Sequence, residues 1–218
     1  MMNRLFTTLK TKKEIPGEVL PDAGNQPDPT AEKIRRYRKN AEKWVGEVVK
    51  NHLTTHEDVV LHGSRSLKML LPHYKRKVHD WDLFSPKERQ TALEIERKID
   101  QKAGCDIART RYQHIKSKNL KPEIYKGEHL YIVETPRVKG DAEVDVMDKP
   151  KNLPTVRHNG ITHEDLLIAH QKALTRQYRQ PQKKDKARYD TKAIEQKYHK
   201  NTTKKPHVIG LMEKKRII

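Results

Sequence analysis

A short apolar stretch that carries two aspartates, Asp80 and Asp82, constrains the fold of this chain more than any other feature. The stretch 78–84 predicts a β-strand, in which side chains two positions apart point to the same face. Both carboxylates would then emerge together, while Trp81 and Leu83 point the opposite way and can be buried. Two adjacent negative charges repel each other unless a cation lies between them, and hard oxygen ligands select Mg²⁺ or Mn²⁺. The stretch therefore predicts a sheet with a cation site on one face.

A third carboxylate follows the same pattern on a later strand. Asp145 stands between Val144 and Val146, so alternation buries the two valines on one face and places Asp145 on the other. Three carboxylates can hold two metal ions, which lower the pKa of an attacking hydroxyl and neutralise a leaving pyrophosphate. These are the needs of phosphoryl and nucleotidyl transfer. Glu143 and Asp148 are alternatives to Asp145, and strand alternation makes Glu143 the stronger of the two.

A strand, a tight turn and a short helix precede the paired aspartates. The turn Gly63-Ser64-Arg65-Ser66 follows the apolar strand 58–61, and a short helix that carries three leucines comes next. A glycine permits close approach of the backbone, and a helix start offers unpaired amides and the positive end of the helix dipole to phosphate oxygens. The serine hydroxyl after the glycine can add a further hydrogen bond. The turn is therefore a candidate phosphate cradle.

The order of these parts resembles the DNA polymerase β-like nucleotidyltransferase superfamily. The matching motifs are His62-Gly63-Ser64, Asp80-Trp81-Asp82-Leu83 and Val144-Asp145-Val146, and the resemblance covers about residues 57–148. It implies a small mixed sheet with flanking helices, two magnesium ions and a nucleoside triphosphate as the donor substrate. It also implies that Asp80, Asp82 and Asp145 are the catalytic residues and metal ligands, and that Gly63, Ser64, Arg65 and Ser66 bind the nucleotide.

The C-terminal helices resemble those of the small toxin-type nucleotidyltransferases, whose appended bundle directs Lys-Asp and Arg residues toward the site. The matching residues here are Lys172, Arg176, Lys184 and Asp185. Lys172 and Lys184 are the nucleotide ligands that this resemblance implies. The alternative is that these charges form a solvated basic helix face.

The pattern along the chain predicts an α+β domain with a small mixed sheet, flanking helices and further C-terminal helices. The predicted strands cover 58–61, 78–84, 107–112, 123–125, 129–135 and 142–147, with a hairpin turn at 139–141. The predicted helices begin at Thr30, after the Gly63 turn, at Ser85-Pro86 and at Thr162, and a weaker helix covers 186–198. The predicted division is a flexible, basic and proline-containing arm (1–29), a nucleotidyltransferase-like domain (30–160), a helical appendage (161–199) and a basic tail (200–218).

Basic residues dominate the chain and are concentrated near its end. Lys and Arg outnumber Asp and Glu by 47 to 29, which gives a formal charge of +18. Residues 171–218 contain fifteen Lys and Arg but only four Asp and Glu. Such an excess favours a polyanion through counterion release, so nucleic acid, either RNA or DNA, is the predicted partner. A solubilising tail is the alternative interpretation, and the basic loop 72–77 also suits phosphates.

Composition also limits where the protein is expected to work. Only 33% of the residues are apolar and 35% are charged, so a compact centre with solvated ends is expected. Cys105 is the only cysteine, which excludes an intrachain disulfide and fits a reducing compartment. No apolar run approaches the ~20 residues of a membrane span, and the N-terminus lacks the apolar core of a signal peptide. We therefore expect a soluble intracellular protein with no membrane partner.

The sequence is compatible with three functions. The favoured hypothesis is a Mg²⁺- or Mn²⁺-dependent enzyme that transfers a nucleoside monophosphate from a nucleoside triphosphate to a hydroxyl of RNA, DNA or protein. The alternative is a catalytically silent protein of the same fold that binds nucleic acid or has a structural role. A third hypothesis, the least favoured because of the Gly-Ser turn and the short chain, is a glycosyltransferase that uses Asp82 in an Asp-x-Asp motif.

Histidines and tyrosines allow two further interpretations, both disfavoured. The candidate zinc ligands are His56, His62, His73 and His79, whose spacing matches no regular helix or strand ligand pair. The candidate base-stacking residues are Tyr112, Tyr125 and Tyr131, for which core packing is the favoured role.

Overall fold

The computed structural model describes residues 17–20, 26–114, 129–136 and 144–202. Its helices are α1 (Ala31–Thr55), α2 (Gly63–Leu70), α3 (Glu88–Ala103), α4 (Leu166–Arg179) and α5 (Lys184–Thr202), with a short 3₁₀ turn (Pro181–Lys183) before α5. Its strands are β1 (Val60–His62), β2 (Trp81–Ser85), β3 (Arg109–His114), β4 (His129–Glu134), β5 (Val144–Asp148), β6 (Thr155–His158) and β7 (Ile161–Glu164). The predicted strand 123–125 and the predicted turn 139–141 lie outside the described residues.

The seven described strands form one mixed sheet in the order β3-β4-β5-β2-β1-β7-β6. The pairs β2–β5 and β1–β7 are parallel, and the other four pairs are antiparallel. Helices cover the sheet, so the predicted α+β class with a mixed sheet and flanking helices is confirmed. Among the helices of the described ranges, none has the length and apolar composition that a membrane-spanning segment requires.

The main core lies between one face of the sheet and helices α1 and α3. Trp81 and Leu83 of β2 point into it, as the period of two along a strand requires. They meet apolar side chains from α1 and α3, such as Val45 and Ile95, which recur at helical spacing. Each fully buried side chain of this size contributes roughly 1.5–3 kcal/mol relative to an exposed one. This core fixes the orientation of β2 and hence the direction of Asp82.

A second, smaller core connects α2, the segment after it, α4 and α5. Its buried members are Leu67, Leu70, Leu71, Tyr74, Val78, Leu166, Ala193 and Ile194. These residues come from both the predicted domain and the predicted helical appendage. The C-terminal helices are therefore held against α2 by apolar packing, which brings their polar residues to the end of β1.

The C-terminal part of the sheet contains a hairpin that we did not predict. Asn159 and Gly160 have φ angles of 49° and 76°, which suit the two central residues of a tight hairpin turn between β6 and β7. The predicted helix cap at Thr162 is wrong, because Thr162 lies in β7. Helix α4 begins at Leu166, and its cap is Asp165, whose Oδ1 accepts a hydrogen bond from the Leu167 N–H at 2.7 Å. Residues 161–164, which we had assigned to the helical appendage, thus belong to the sheet.

Two predicted element boundaries are also wrong, because side chains bind the backbone where we expected regular structure. The hydroxyl of Ser85 accepts from the Lys87 N–H at 3.0 Å, so α3 begins at Glu88 instead of at Ser85-Pro86. Asp100 Oδ1 accepts from the N–H groups of residues 107 and 108 at 2.8 Å each, so β3 begins at Arg109. Burial raises the pKa of Asp100 to about 7.

Part of the N-terminal arm pairs with the sheet. The Leu20 N–H donates to the Thr110 carbonyl at 2.9 Å, and the Tyr112 N–H donates to the Glu18 carbonyl at 3.1 Å. The side chain of Leu20 is buried in the main core. The predicted flexible arm over residues 1–29 is therefore wrong for residues 17–20, which lie along the edge strand β3.

Candidate active site

Three polar residues lie side by side across the central strands. The register pairs Asp82 of β2 with Asp145 of β5 on one side and with His62 of β1 on the other. Side chains at paired positions of adjacent strands share one face of a sheet, so the carboxylates of Asp82 and Asp145 are neighbours. The structure thus brings two of the predicted site residues together, on the face opposite to Trp81 and Leu83.

Gly63 lies directly against the Asp82 carboxylate. A Cβ atom added at Gly63 would lie 2.1 Å from Oδ2 and 2.9 Å from Cγ of Asp82. The φ angle of Gly63 is +67°, in the left-handed region that favours glycine. Gly63 follows β1 and opens α2, so the unpaired N–H groups of the first helical turn begin beside this carboxylate. Both the close approach and the backbone angle require glycine here.

The electrostatic environment of Asp82 combines burial with opposing charges. Burial is the largest influence and raises the pKa of the Asp82 carboxyl, and the negative charge of Asp80 raises it further. Lys186, Arg176 and Lys183 act in the opposite direction and lower this pKa. The Asp82 carboxylate therefore faces cations from α4, α5 and the 3₁₀ turn before α5, in a setting with limited access to water.

Asp80 does not lie on the strand, which corrects the predicted strand 78–84. It is exposed and stands one residue before β2. Arg65 takes the place of strand pairing for this segment, because its guanidinium donates to the carbonyls of residues 78, 79 and 80 at 2.8–3.2 Å. The guanidinium also lies 4.2 Å from the centre of the Trp81 ring. These contacts make Arg65 a residue that positions the approach to Asp82.

Ser64 is buried and connects the turn to the C-terminal helices. Its Oγ accepts a hydrogen bond from Arg76 Nη1 at 3.0 Å. The same nitrogen lies 3.3 Å from the Tyr74 hydroxyl, which donates to Asp190 of α5 at 2.6 Å. The loop 72–77 is therefore packed between the Gly63-Ser64 turn and α5. It places Arg76 next to the candidate phosphate cradle.

Two of the predicted nucleotide ligands are buried in contacts of their own. Ser66 bonds through its hydroxyl to Nδ1 of His163 in β7 at 3.0 Å. Lys172 forms a buried ion pair with Glu164 of β7, and its ammonium group lies 4.7 Å from the centre of the Phe84 ring. The structure does not bring the Ser66 hydroxyl to the surface of the site, and it binds the Lys172 charge to Glu164.

Lys186 occupies the position that we had expected for Lys184. Lys184 is the exposed first residue of α5, whereas Lys186 is partly buried. Burial and the charges of Arg76 and Arg176 lower the pKa of Lys186. The sequence could have identified Lys186 by its spacing, because it lies one turn before Asp190 on the same face of α5.

Most of the alternative candidates lie away from this face. Asp148 is three residues beyond Asp145, so it points to the opposite face, and its Oδ1 accepts from the His129 N–H at 3.2 Å. Tyr112 and Tyr131 are buried in the main core. Glu143 and Tyr125 lie outside the described residues.

The four histidines of the zinc hypothesis are dispersed. His62 is stacked on Phe84 with ring centres 3.8 Å apart, and His73 Nε2 donates to the Ala193 carbonyl at 2.6 Å. His79 lies in the segment held by Arg65. Among the described residues, His56 is the only one of the four that belongs to a group of three potential metal ligands, with His52 and Glu94.

The Asp82–Asp145 pair fits a hard divalent cation. Two carboxylates in register on one face, one of them with a pKa raised by burial, supply oxygen ligands and a negative potential in a partly dehydrated setting. Gly63 leaves the space above Asp82 without a side chain. Mg²⁺ and Mn²⁺ prefer such ligands, whereas softer ions prefer nitrogen or sulfur.

Comparisons with known proteins identify a similar fold. No protein-family model matches the chain, and no curated protein sequence matches it. The solved structure of the Megavirus polyadenylate synthase is similar over 77% of this chain, with a TM-score of 0.54 and 15% sequence identity, and the chain spans 35% of that protein. JHP933 from Helicobacter pylori matches 66% of this chain and 57% of its own length, with a TM-score of 0.39 and 18% identity. The similarity to the viral polyadenylate synthase shows a nucleotidyltransferase-like fold.

Proposed function

We propose that this protein is a nucleotidyltransferase that transfers a nucleoside monophosphate from a nucleoside triphosphate to a hydroxyl of a nucleic acid or a protein. The observation that carries the proposal is the register pairing of Asp82 with Asp145, with Gly63 directly against Asp82. This arrangement joins a cation site to a helix start, which is the combination that a metal-bound triphosphate requires. The nucleotidyltransferase-like fold agrees with it.

In this proposal, Asp80, Asp82 and Asp145 hold two Mg²⁺ or Mn²⁺ ions. Bound metal of this kind lowers the pKa of the attacking hydroxyl and offsets the charge of the leaving pyrophosphate. Asp145 orients the acceptor hydroxyl and accepts its proton, while the hydroxyl oxygen forms a bond to the α-phosphorus and the bond to the bridging oxygen of pyrophosphate breaks. Arg65 acts indirectly, because its bonds to the carbonyls of residues 78–80 hold Asp80 ahead of β2.

The triphosphate is proposed to lie between the start of α2 and the cations opposite it. The N–H groups that follow Gly63, together with Ser64, bind phosphate oxygens on one side. Arg76 donates a hydrogen bond to Ser64. The positive charges of Arg76 and Arg176 both lower the pKa of Lys186. These like charges repel one another, and the carboxylates of Asp82 and Asp190 offset part of the repulsion. A triphosphate would relieve this repulsion.

The position of Lys186 leads to a paired prediction. Lys186→Gln is expected to raise KM for the nucleoside triphosphate about tenfold, since a charge-assisted contact to phosphate contributes roughly 1.4 kcal/mol or more. Lys184→Gln is the matched control, because it removes the same charge from an exposed position two residues away. Initial rates at varied triphosphate concentration measure both. A larger effect for Lys184→Gln than for Lys186→Gln would contradict this position, because the triphosphate would then contact the exposed start of α5.

A basic groove is the proposed route for a nucleic acid acceptor. It encloses about 740 Å³ beside α1, and its walls include Arg65 and His79 but neither Asp82 nor Asp145. Its cationic residues are Arg38, Lys39, Lys43, Lys50, Arg65 and Lys77, against two acids, Glu42 and Glu47. The groove therefore borders the segment that leads directly into Asp80. A strand bound there would pass the segment that leads into Asp80.

Salt dependence distinguishes the groove from the basic tail as the nucleic acid site. Binding of a single-stranded oligonucleotide should weaken with salt, with a log-log slope of roughly −0.7 per contacted phosphate. Replacing Lys39, Lys43 and Lys50 with Gln should make the slope shallower by about 2 if each lysine contacts one phosphate. A chain that ends at Thr202 removes the basic residues from 204 to 216 and tests the tail separately. An unchanged slope in the triple variant would exclude the groove.

The function is tested by adding each labelled nucleoside triphosphate, with Mg²⁺ or Mn²⁺, to the full chain together with RNA, DNA or the protein alone. Covalent label on one of the acceptors is the expected result, and its dependence on the nucleobase identifies the donor. Binding of nucleic acid without transfer from any of the four triphosphates would favour the catalytically silent alternative. The separation of the groove from Asp82 and Asp145 makes that alternative the main competitor.

A further inference from the structure

A second group of potential metal ligands lies on the other side of the sheet, between the end of α1 and the middle of α3. It consists of His52, His56 and Glu94, whose nearest ligand atoms all lie within 4.8 Å of one another. His52 lies in the last turn of α1 and His56, four residues later, is its C-cap, so the two side chains lie on the same side of the helix end. Glu94 approaches this face from α3. From this geometry we propose that the three residues bind a Zn²⁺-class transition metal ion.

The distances suit ligands that surround an ion better than groups that bond one another. Glu94 Oε2 lies 3.9 Å from His52 Nδ1 and 3.8 Å from His56 Nε2, and both distances exceed the range of a hydrogen bond. Two atoms bound to one tetrahedral zinc at roughly 2.0–2.1 Å are separated by about 3.4 Å. The ligand atoms all lie within 4.8 Å of one another, so side-chain shifts of at most about 1.4 Å would complete the site. The three residues leave a gap of the size that a metal fills.

The ring nitrogens of His52 are available to a ligand. It is fully buried, and neither of its ring nitrogens has a hydrogen-bond partner among the described residues. A buried polar group without a partner costs roughly 1–3 kcal/mol, so a structural histidine at this position would be expected to have one. A metal ion at Nδ1 would supply it. The neighbouring His56 ring stacks on His52 with centres 4.0 Å apart and planes 14° apart, so one ring must rotate before both nitrogens point at the same ion.

The side chains of His56 and Glu94 are oriented by hydrogen bonds that their non-ligating atoms make. Nδ1 of His56 lies 3.0 Å from the His52 carbonyl and 2.9 Å from the Thr55 hydroxyl; a proton on Nδ1 satisfies the carbonyl and leaves the lone pair on Nε2 toward Glu94. A ligand histidine that donates its second nitrogen to a carbonyl is the usual arrangement in metal sites. Glu94 Oε1 accepts from Gln90 at 2.9 Å, which leaves Oε2 directed at the histidines. These bonds direct both ligating atoms toward the gap.

The ligand set determines the class of metal and the consequence of binding. Two imidazole nitrogens and one carboxylate oxygen suit Zn²⁺ and similar transition metals, whereas Mg²⁺ prefers oxygen ligands alone. Lys98, one turn after Glu94, is a nearby cation that opposes binding, and Asp58 favours it. Because the ligands come from two helices of the main core, bound metal would connect α1 to α3. The site is separate from the Asp82–Asp145 pair, which lies on the opposite face of the sheet.

Zinc titration of the metal-free full chain tests this proposal, with calorimetry and the thermal unfolding midpoint as readouts. One Zn²⁺ per chain should bind with saturation and raise the midpoint, and Mg²⁺ at the same concentration should not replace it. His56→Gln and Glu94→Gln should each weaken Zn²⁺ binding by about 100-fold or more, since they remove a direct ligand. Both positions are partly exposed, so these variants are expected to fold.

Two control variants make the result specific. His158→Gln removes an exposed histidine elsewhere on the surface, and Asp145→Asn removes a carboxylate of the candidate active site; both should bind Zn²⁺ like the unmodified chain. Co²⁺ in place of Zn²⁺ should give the visible absorption of a nitrogen-containing low-symmetry site, lost in His56→Gln. Equal Zn²⁺ affinity in His56→Gln and the unmodified chain, or the absence of saturable binding near one equivalent, would overturn the proposal.

Discussion

Asp82→Asn and Asp145→Asn are each expected to reduce nucleotide transfer by at least about 100-fold. The two carboxylates are register partners on one face, so removal of either charge weakens the site that both form. A loss of about 2.7 kcal/mol of transition-state stabilisation corresponds to this factor, and metal ligands commonly contribute several kcal/mol. Initial rates at saturating Mg²⁺ and triphosphate measure the effect. Asp148→Asn is the matched control on the same strand, since Asp148 points to the opposite face and binds the His129 N–H.

Asp82→Asn should not lose stability in the absence of metal. Burial and Asp80 raise the pKa of Asp82 in the folded chain, so the folded chain binds this proton more tightly than the unfolded chain does. The free energy of unfolding therefore falls as pH rises from the ordinary aspartate pKa through the raised one, and ionised Asp82 is destabilising near neutral pH. Asn removes that cost. A thermal midpoint of Asp82→Asn well below that of the unmodified chain, in EDTA at pH 7, would contradict this explanation.

Gly63→Ala is expected to abolish detectable transfer, and Gly104→Ala is expected to leave it unchanged. Both glycines have left-handed φ angles, +67° and +69°, so each alanine costs about 1–2 kcal/mol of stability. Only at Gly63 does the added methyl group meet a side chain, 2.1 Å from Asp82 Oδ2, whereas nothing lies within 4 Å at Gly104. The variant must therefore displace the Asp82 carboxylate or the start of α2.

Comparing Gly63→Ala with Gly104→Ala separates the effect of backbone strain from the effect of the contact with Asp82. Thermal midpoints of the two variants, measured without metal, should fall by similar amounts, or by more in Gly63→Ala. Transfer rates below the unfolding temperature should differ by at least about 100-fold, the factor that we expect for loss of Asp82 itself. Similar activity in the two variants would show that the space beside Asp82 is not used by substrate.

The Asp82–Asp145 pairing was predictable from the sequence because it depends on strand alternation alone. An aspartate between valines, or between Trp81 and Leu83, has only one face available once the apolar neighbours are buried. The prediction for Asp80 was less accurate, since β2 begins one residue later and Arg65 replaces the strand pairing there. Strand ends depend on such side-chain bonds, which arise from residues distant in sequence.

Helical residues near the site were harder to assign, because their orientation depends on packing. Ser66 and Lys172 carry suitable chemistry, but the apolar contacts of α2 and α4 direct them toward β7, where His163 and Glu164 bind them. The sequence resemblance indicated Lys184 instead of Lys186. The two residues are two positions apart, so their side chains point in directions that differ by more than half a turn of α5. The sequence contained the relevant spacing but not the face that α5 would bury.

The β6–β7 hairpin was missed because β6 has no buried face. All four residues of β6 are exposed, so the strand lacks the alternation on which the prediction relied. Asn159-Gly160 is nevertheless a strong local hairpin signal. His52 was missed as a partner of His56 for a related reason, since the four-residue spacing was not considered within the predicted α1.

The most direct measurement of the proposed reaction compares triphosphates labelled at the α- and γ-phosphorus. Nucleotidyl transfer moves the α-phosphorus to the acceptor and releases pyrophosphate, whereas phosphoryl transfer moves only the γ-phosphorus. We predict that the acceptor gains α-label and no γ-label, that pyrophosphate appears in equal amount, and that Asp145→Asn shows neither. Transfer of γ-label, or α-label transfer that persists in Asp82→Asn and Asp145→Asn at the unmodified rate, would contradict the proposal that this pair of carboxylates performs nucleotidyl transfer.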